Sequence, residues 1–170
     1  LCDGKSLCTT PVSLHVRAPD ADGMRALLAE GWERLKPRVN SLSVVLELRW
    51  DALRLVFGGD LPVSPGLGTG WDTVVEAHPH LRGAHGVKIP HHASRSALHD
   101  ELLSGHDASA VWWVTPYSRS RLPRTGVDGG LTHLLTKHSA ASLTSLPHSE
   151  AQRRMPRPPA SMDLTAYESA

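Results

Sequence analysis

At 170 residues the chain is long enough for one domain with a real core, and its 40% hydrophobic and 21% charged content is ordinary for a globular protein. A formal net charge of +1 excludes a global electrostatic pull toward nucleic acid or an anionic membrane surface. No apolar run approaches the roughly 18 residues needed to span a bilayer. Eleven histidines are more than such a chain needs, and they cluster between His78 and His106. Residues 1–10 have neither the basic nor the apolar region of a secretory signal, and position 1 is Leu, so the chain is expected to begin partway through a larger protein. Cys2 and Cys8 could pair, but two cysteines near one end fit free thiols in a cytoplasmic protein better.

Taken in chain order, Val12, Leu14 and Val16 alternate and predict a strand, which Pro19 stops. Asp20 or Asp22 can cap a following amphipathic helix whose apolar stripe is Met24, Leu27, Leu28, Trp32 and Leu35, ended by Pro37. A hairpin comes next. Leu42, Val44, Leu46, Leu48 and Trp50 alternate with Ser43, Glu47 and Arg49, which predicts a strand with a dry face and a wetter one. A tight turn at Asp51 leads to the nearly continuous apolar run LRLVF, which reads as a more buried strand ended by Gly58-Gly59, with Asp60 directly after.

Residues 61–70 are rich in Pro and Gly and predict a loop. A short helix is expected through Trp71, Val74 and Val75, a strand over Val87–Ile89 stopped by Pro90, and a helix over Ser96–Leu103. The run Ala110–Val114 reads as a buried strand. A helix over Leu131–His138 and a last strand over Ala140–Leu143 follow. Trp112 and Trp113 should point to opposite faces, one into the core and one toward a groove. The alternation of strands and helices predicts an α/β or layered α+β domain over 1–146, with a loosely ordered tail over 147–170.

Several residues could carry chemistry. Asp60, a carboxylate at a strand end beside two glycines, either binds cations and activates water or caps a turn. His91 and His92 follow a strand and a proline; neutral imidazole binds zinc, and neighbouring residues of a strand face opposite ways, so one ring is expected to reach a given metal. The same pair could equally be two surface histidines. Ser94 either contacts substrate or caps a helix. The segment HPHLRGAH, with His78, His80 and His85, reads as a solvent-exposed loop because Pro79 breaks the strand that an HxH pair needs. Arg119, Arg121 and Arg124 form a basic cluster able to clamp a phosphate, or a solvated loop. The tail segment RRMPRP offers a further basic patch.

In order, these signals become more specific. The pattern N-x-x-S (Asn40, Ser43), an apolar hairpin, L-x-L-V-F-G-G-D ending at Asp60, and V-K-I-P-H-H-A-S from Val87 to Ser94 resembles the metallo-β-lactamase-fold hydrolases. Within them it is most similar to the branch of the extracytoplasmic hydrolase domain of ComEC-type DNA-uptake proteins, with its T-G-D and H-H-G-S strand ends. Asn40, Ser41, Ser43, Gly59, Asp60, Lys88, His91, His92 and Ser94 match in order. The resemblance covers 12–103 well.

The resemblance implies a four-layer αββα sandwich, of which this chain would be the C-terminal half. It implies a dinuclear site, usually zinc, in which Asp60 bridges both ions, one of His91 and His92 (preferably His92) is the last ligand, and a hydroxide between the ions is the nucleophile toward an ester or phosphodiester. Ser94, Arg119 and Arg121 would then bind substrate. Gly58 stands where that branch has Thr, and Ala93 where it has Gly. The H-x-H-x-D-H motif that supplies most ligands is not in these 170 residues, so the partner implied is the N-terminal half of the same protein, and the chain alone is expected to be inactive. The alternative is a degenerate, non-catalytic half-domain that acts as a binding module. A nucleic-acid-binding fragment using Arg119, Arg121, Arg124 and the tail is a third possibility.

Overall fold

The computed structural model describes residues 6–9, 11–63, 69–106, 109–138 and 141–144. The expected tail over 147–170, Cys2 and the middle of the 61–70 loop lie outside the described residues. Seven strands form one mixed sheet in chain order: β1 (Ser6–Thr9), β2 (Val12–Ala18), β3 (Val45–Trp50), β4 (Leu53–Phe57), β5 (Gly86–Lys88), β6 (Val111–Val114) and β7 (Ser142–Leu143). The first four are joined as an antiparallel meander, and β4 to β7 are parallel.

Parallel neighbours need crossovers, because a tight turn can only reverse the chain. Here α3 (Trp71–Ala77) lies between β4 and β5, α4 (Asp100–Ser104) between β5 and β6, and α5 (Gly130–Lys137) between β6 and β7. The earlier helices α1 (Ala21–Ala29) and α2 (Trp32–Leu35) connect β2 to β3. The chain is thus mixed α/β. No described helix is long and apolar enough to cross a membrane.

One face of the sheet makes the core. Val45, Val56, Val87, Trp112 and Val114 point to it and pack with Trp71, Val74 and Val75 of α3, Leu102 and Leu103 of α4, and Leu134 of α5. Cross-strand partners share a face, so the register defines the other face as well: Leu14, Leu48 and Leu55 form one row, Leu46 and Phe57 the next, and Lys88 and Trp113 continue it. Those side chains are only half-buried, and Trp50 and Val111 on the same face are more than half exposed. Phe57 and Trp113 meet there edge to face at 5.9 Å, and a Cβ on Gly86 would lie 2.7 Å from the Trp113 ring.

The expected wet and dry faces of the hairpin are therefore exchanged. Glu47 is fully buried, whereas Leu46 and Leu48 are half-buried and Trp50 is exposed. The helices cover the face that carries Glu47, and nothing among the described residues fully covers the face that carries the leucines. For the same reason LRLVF is not a buried strand: Val56 alone is buried, and Leu53 is exposed. Trp112 and Trp113 divide between core and open face as their alternation predicts.

Two helices differ from expectation. The predicted helix from Asp20 to Pro37 is broken at Gly31, whose φ of +83° is left-handed, and Leu28 on its predicted inner stripe is exposed. The helix predicted over Ser96–Leu103 splits into a 3-10 turn, Arg95–Ala97, and α4. His99 caps α4, its Nδ1 accepting from the Leu102 N–H, a role that stops the helix from extending further back.

Candidate metal-binding rim

Asp60 and the histidine pair meet at one edge of the sheet because β4 and β5 are adjacent and parallel, so both strands deliver their following residues to the same rim. The backbone ties the two strand ends together. The His91 N–H donates to the Gly59 carbonyl at 2.9 Å, and the Gly58 N–H to the Lys88 carbonyl at 3.3 Å. Close approach explains both glycines. A Cβ on Gly58 would lie 2.6 Å from the Pro90 ring, and one on Gly59, whose φ is +53°, would lie 2.7 Å from the Val44 carbonyl oxygen.

His91, His92 and Ala93 run in a tight turn with φ of 45°, 53° and 57°. Three successive non-glycine residues in the left-handed region are costly, of order 1–2 kcal/mol each, so the surrounding structure must impose the conformation. Part of that constraint is the start of α5: a Cβ on Gly130 would lie 1.8 Å from the Ala93 carbonyl oxygen. Ala93 occupies a backbone position that a glycine adopts without strain.

This turn, not strand alternation, separates the two imidazoles. His92 donates from Nδ1 to the Thr115 carbonyl at 2.6 Å, and its ring stacks on Tyr117 with centroids 4.9 Å apart. With Nδ1 protonated, neutral His92 keeps its lone pair on Nε2, which lies 3.7 Å from Asp60 Oδ1. That distance is too long for a hydrogen bond. It is close to the separation of two donors that each stand about 2.1 Å from one shared ion. His91 turns away: its Nε2 is 3.4 Å from Asn40 Nδ2, and its buried Nδ1 has no hydrogen-bond partner.

Other predicted site residues are near the rim without joining this pair. Ser94 Oγ pairs with Ser96 Oγ at 3.1 Å and, with His91, Arg95, Ser120 and Arg124, lines a cleft of about 270 Å³. Arg119 and Arg121 are exposed on a small loop closed by reciprocal backbone bonds between Tyr117 and Leu122, at 2.8 and 3.0 Å. Tyr117 brings the base of that loop against His92. Lys88 is half-buried on the open face; burial pushes its ammonium below the usual lysine range, against the pull of the Asp60 carboxylate.

His80 departs from its expected place in a free loop. It lies in a 3-10 turn, Pro79–Gly83, with Nε2 3.3 Å from Glu47 Oε2. His85 is exposed, and its Nδ1 accepts from the Arg54 N–H.

The fit to a metal is partial. Asp60 and His92 supply two donors at a suitable separation, one of them held by a backbone carbonyl in the manner of a metal-binding histidine. Among the described residues no group of three or more His, Cys, Asp or Glu converges as a metal site. Two donors cannot hold zinc tightly, since structural sites use four protein ligands and catalytic ones three. No family model, curated protein or solved structure matches the chain.

Proposed function

We propose that this chain contributes Asp60 and His92 to the metal centre of a metallo-β-lactamase-type hydrolase, with the remaining donors supplied from outside its described residues. The observation that carries this reading is the lone pair of His92 Nε2 standing 3.7 Å from Asp60 Oδ1 while Nδ1 is tied to the Thr115 carbonyl. The metal would supply Lewis-acid activation of water for attack on an ester or phosphodiester. Asp60 and His92 would hold it, with Thr115 and Tyr117 orienting His92. Ser94, Arg119 and Arg121 on the adjoining turn and loop are the groups proposed to contact an anionic substrate. The open apolar face supports the same reading, because a sheet with helices on one face and leucines on the other suits the inner layer of a sandwich.

The chain itself offers a test. In nitrogen-15 spectra of the histidine rings, zinc added to residues 1–170 should perturb His92 Nε2, weakly and at high metal concentration, and Asp60→Ala should abolish the response. His91 should respond less. Zinc that perturbs other histidines and leaves His92 unaffected would remove the assignment.

The convergence of only two donors also favours a second reading, a non-catalytic half-domain that serves as a binding module. On that reading Asp60→Ala changes neither metal content nor any hydrolytic activity of the natural product.

A further inference from the structure

Around Glu47, on the helix-covered face of the sheet, the chain gathers more positive charge than one carboxylate can use. Arg17 donates from Nε and a terminal nitrogen to Glu47 Oε2 at 2.8 and 2.6 Å. Arg49 donates from Nε to Oε1 at 2.8 Å and from a terminal nitrogen to Oε2 at 3.1 Å. Arg54 Nε lies 3.0 Å from Oε1 in an ion pair whose angle is too poor for a hydrogen bond, and its terminal nitrogen donates to the His80 carbonyl at 2.9 Å. His80 completes the ring. Arg17 and Arg49 together already place four N–H bonds on one buried carboxylate, three of them on Oε2, with roughly four acceptor directions in all. Among the described residues no other carboxylate lies within ion-pair distance of the three arginines, so in this cluster three positive charges face one negative, with Asp20 and Asp22 sharing only the cleft that Arg17 lines.

Packing alone does not call for that surplus. Arg49 and Arg54 are direct cross-strand partners, and like charges in that position repel. The positive field reaches the neighbouring histidines. His15 and His80 are held below their usual range, first by burial; Glu47 opposes this, more strongly at His80 than the arginines act there, while Arg17 and Arg49 add to the lowering. Yet the guanidinium groups are not sealed in: the Arg49 and Arg54 side chains are 39% and 29% exposed above a fully buried Glu47. The carboxylate beneath fixes three flexible side chains in one arrangement, so a ligand need not order them on arrival.

We propose that Arg17, Arg49 and Arg54, pinned by Glu47, form a binding site for a phosphate group. A phosphate dianion matches the surplus charge, and the guanidinium N–H groups not turned toward Glu47 can donate to its oxygens. Arg49 and Arg54 lie toward the β3–β4 turn, at the opposite end of the hairpin from Asp60, while Arg17 reaches Glu47 from the other end; the site does not depend on the metal reading.

Titration of residues 1–170 with inorganic phosphate, and separately with a dinucleotide, tests this through the arginine Nε–Hε resonances and calorimetry. Saturable binding should appear, with a Kd of about 1 mM or tighter, weakening as salt rises and shifting Arg49 and Arg54. Arg49→Gln/Arg54→Gln should weaken it about tenfold or more. Arg49→Lys, which keeps the charge and loses the planar guanidinium, should weaken it less, and Arg34→Gln, at an exposed arginine of α2, should leave it unchanged. Binding of inorganic phosphate alone would identify a free dianion as the ligand, and binding of both a phosphate group in general. No saturable binding by the unaltered chain, or shifts confined to Arg119 and Arg121, would overturn the proposal.

Discussion

Glu47 is fully buried, so its charge is sustained by its neighbours. Burial alone pushes the carboxyl up; hydrogen bonds from Arg49, Arg17 and His80 outweigh it and bring the pKa down from 4.5 to about 2. A carboxyl whose folded pKa is depressed stabilises the fold fully above its unfolded value and loses that contribution as pH falls through the folded one. The loss should therefore run from about pH 4.5 down to about pH 2, and the shift corresponds to about 3 kcal/mol. Urea unfolding at successive pH values checks this: Glu47→Gln should flatten the acid limb and lower stability at neutral pH. An unchanged acid limb in that variant would mean that another carboxyl dominates. At the rim the same bonding logic acts on His92, where a single carbonyl, Thr115, decides which ring nitrogen faces Asp60.

The elements show which parts of this arrangement were legible in the sequence and which were not. The strand ends were legible, because Gly58-Gly59-Asp60 and Pro90-His91-His92 are local punctuation that stops a strand wherever it occurs. Their meeting followed from two parallel neighbours, which the αβ alternation implies. What separates His91 from His92 was not legible. Both lie in a left-handed turn that no glycine announces, held in part by the contact between the Ala93 carbonyl and Gly130, forty residues downstream of Pro90 in the chain. The exchanged faces of β3 were hidden for a different reason. Alternation identifies two faces, but which one is covered depends on where α3, α4 and α5 pack. The arginine cluster was invisible because Arg17, Arg49 and Arg54 come from three strands and converge only through register. The broken helix before β3 is the case in which local signal was underused: Gly31 stands in the sequence at the break.

For the whole molecule, the decisive feature is a sheet with one finished face. Leu14, Leu46, Leu48, Trp50, Leu55, Phe57 and Trp113 form an apolar surface interrupted by Lys88, larger and more continuous than scattered exposed side chains. Residues 1–170 in isolation should therefore self-associate in a concentration-dependent way, measurable by sedimentation, and Leu48→Lys should reduce that association. A cooperative melt from a monomer at high concentration would argue that the face needs no cover. On the proposed metal reading the same incompleteness would appear at the rim, where Asp60 and His92 have no third donor beside them among the described residues. What completes the open face should also complete the rim. The most direct measurement is the zinc content of the full-length natural gene product. About two zinc ions per chain are expected, falling on Asp60→Ala and on His92→Ala. Zinc well below one per chain, or content indifferent to both substitutions, would contradict it.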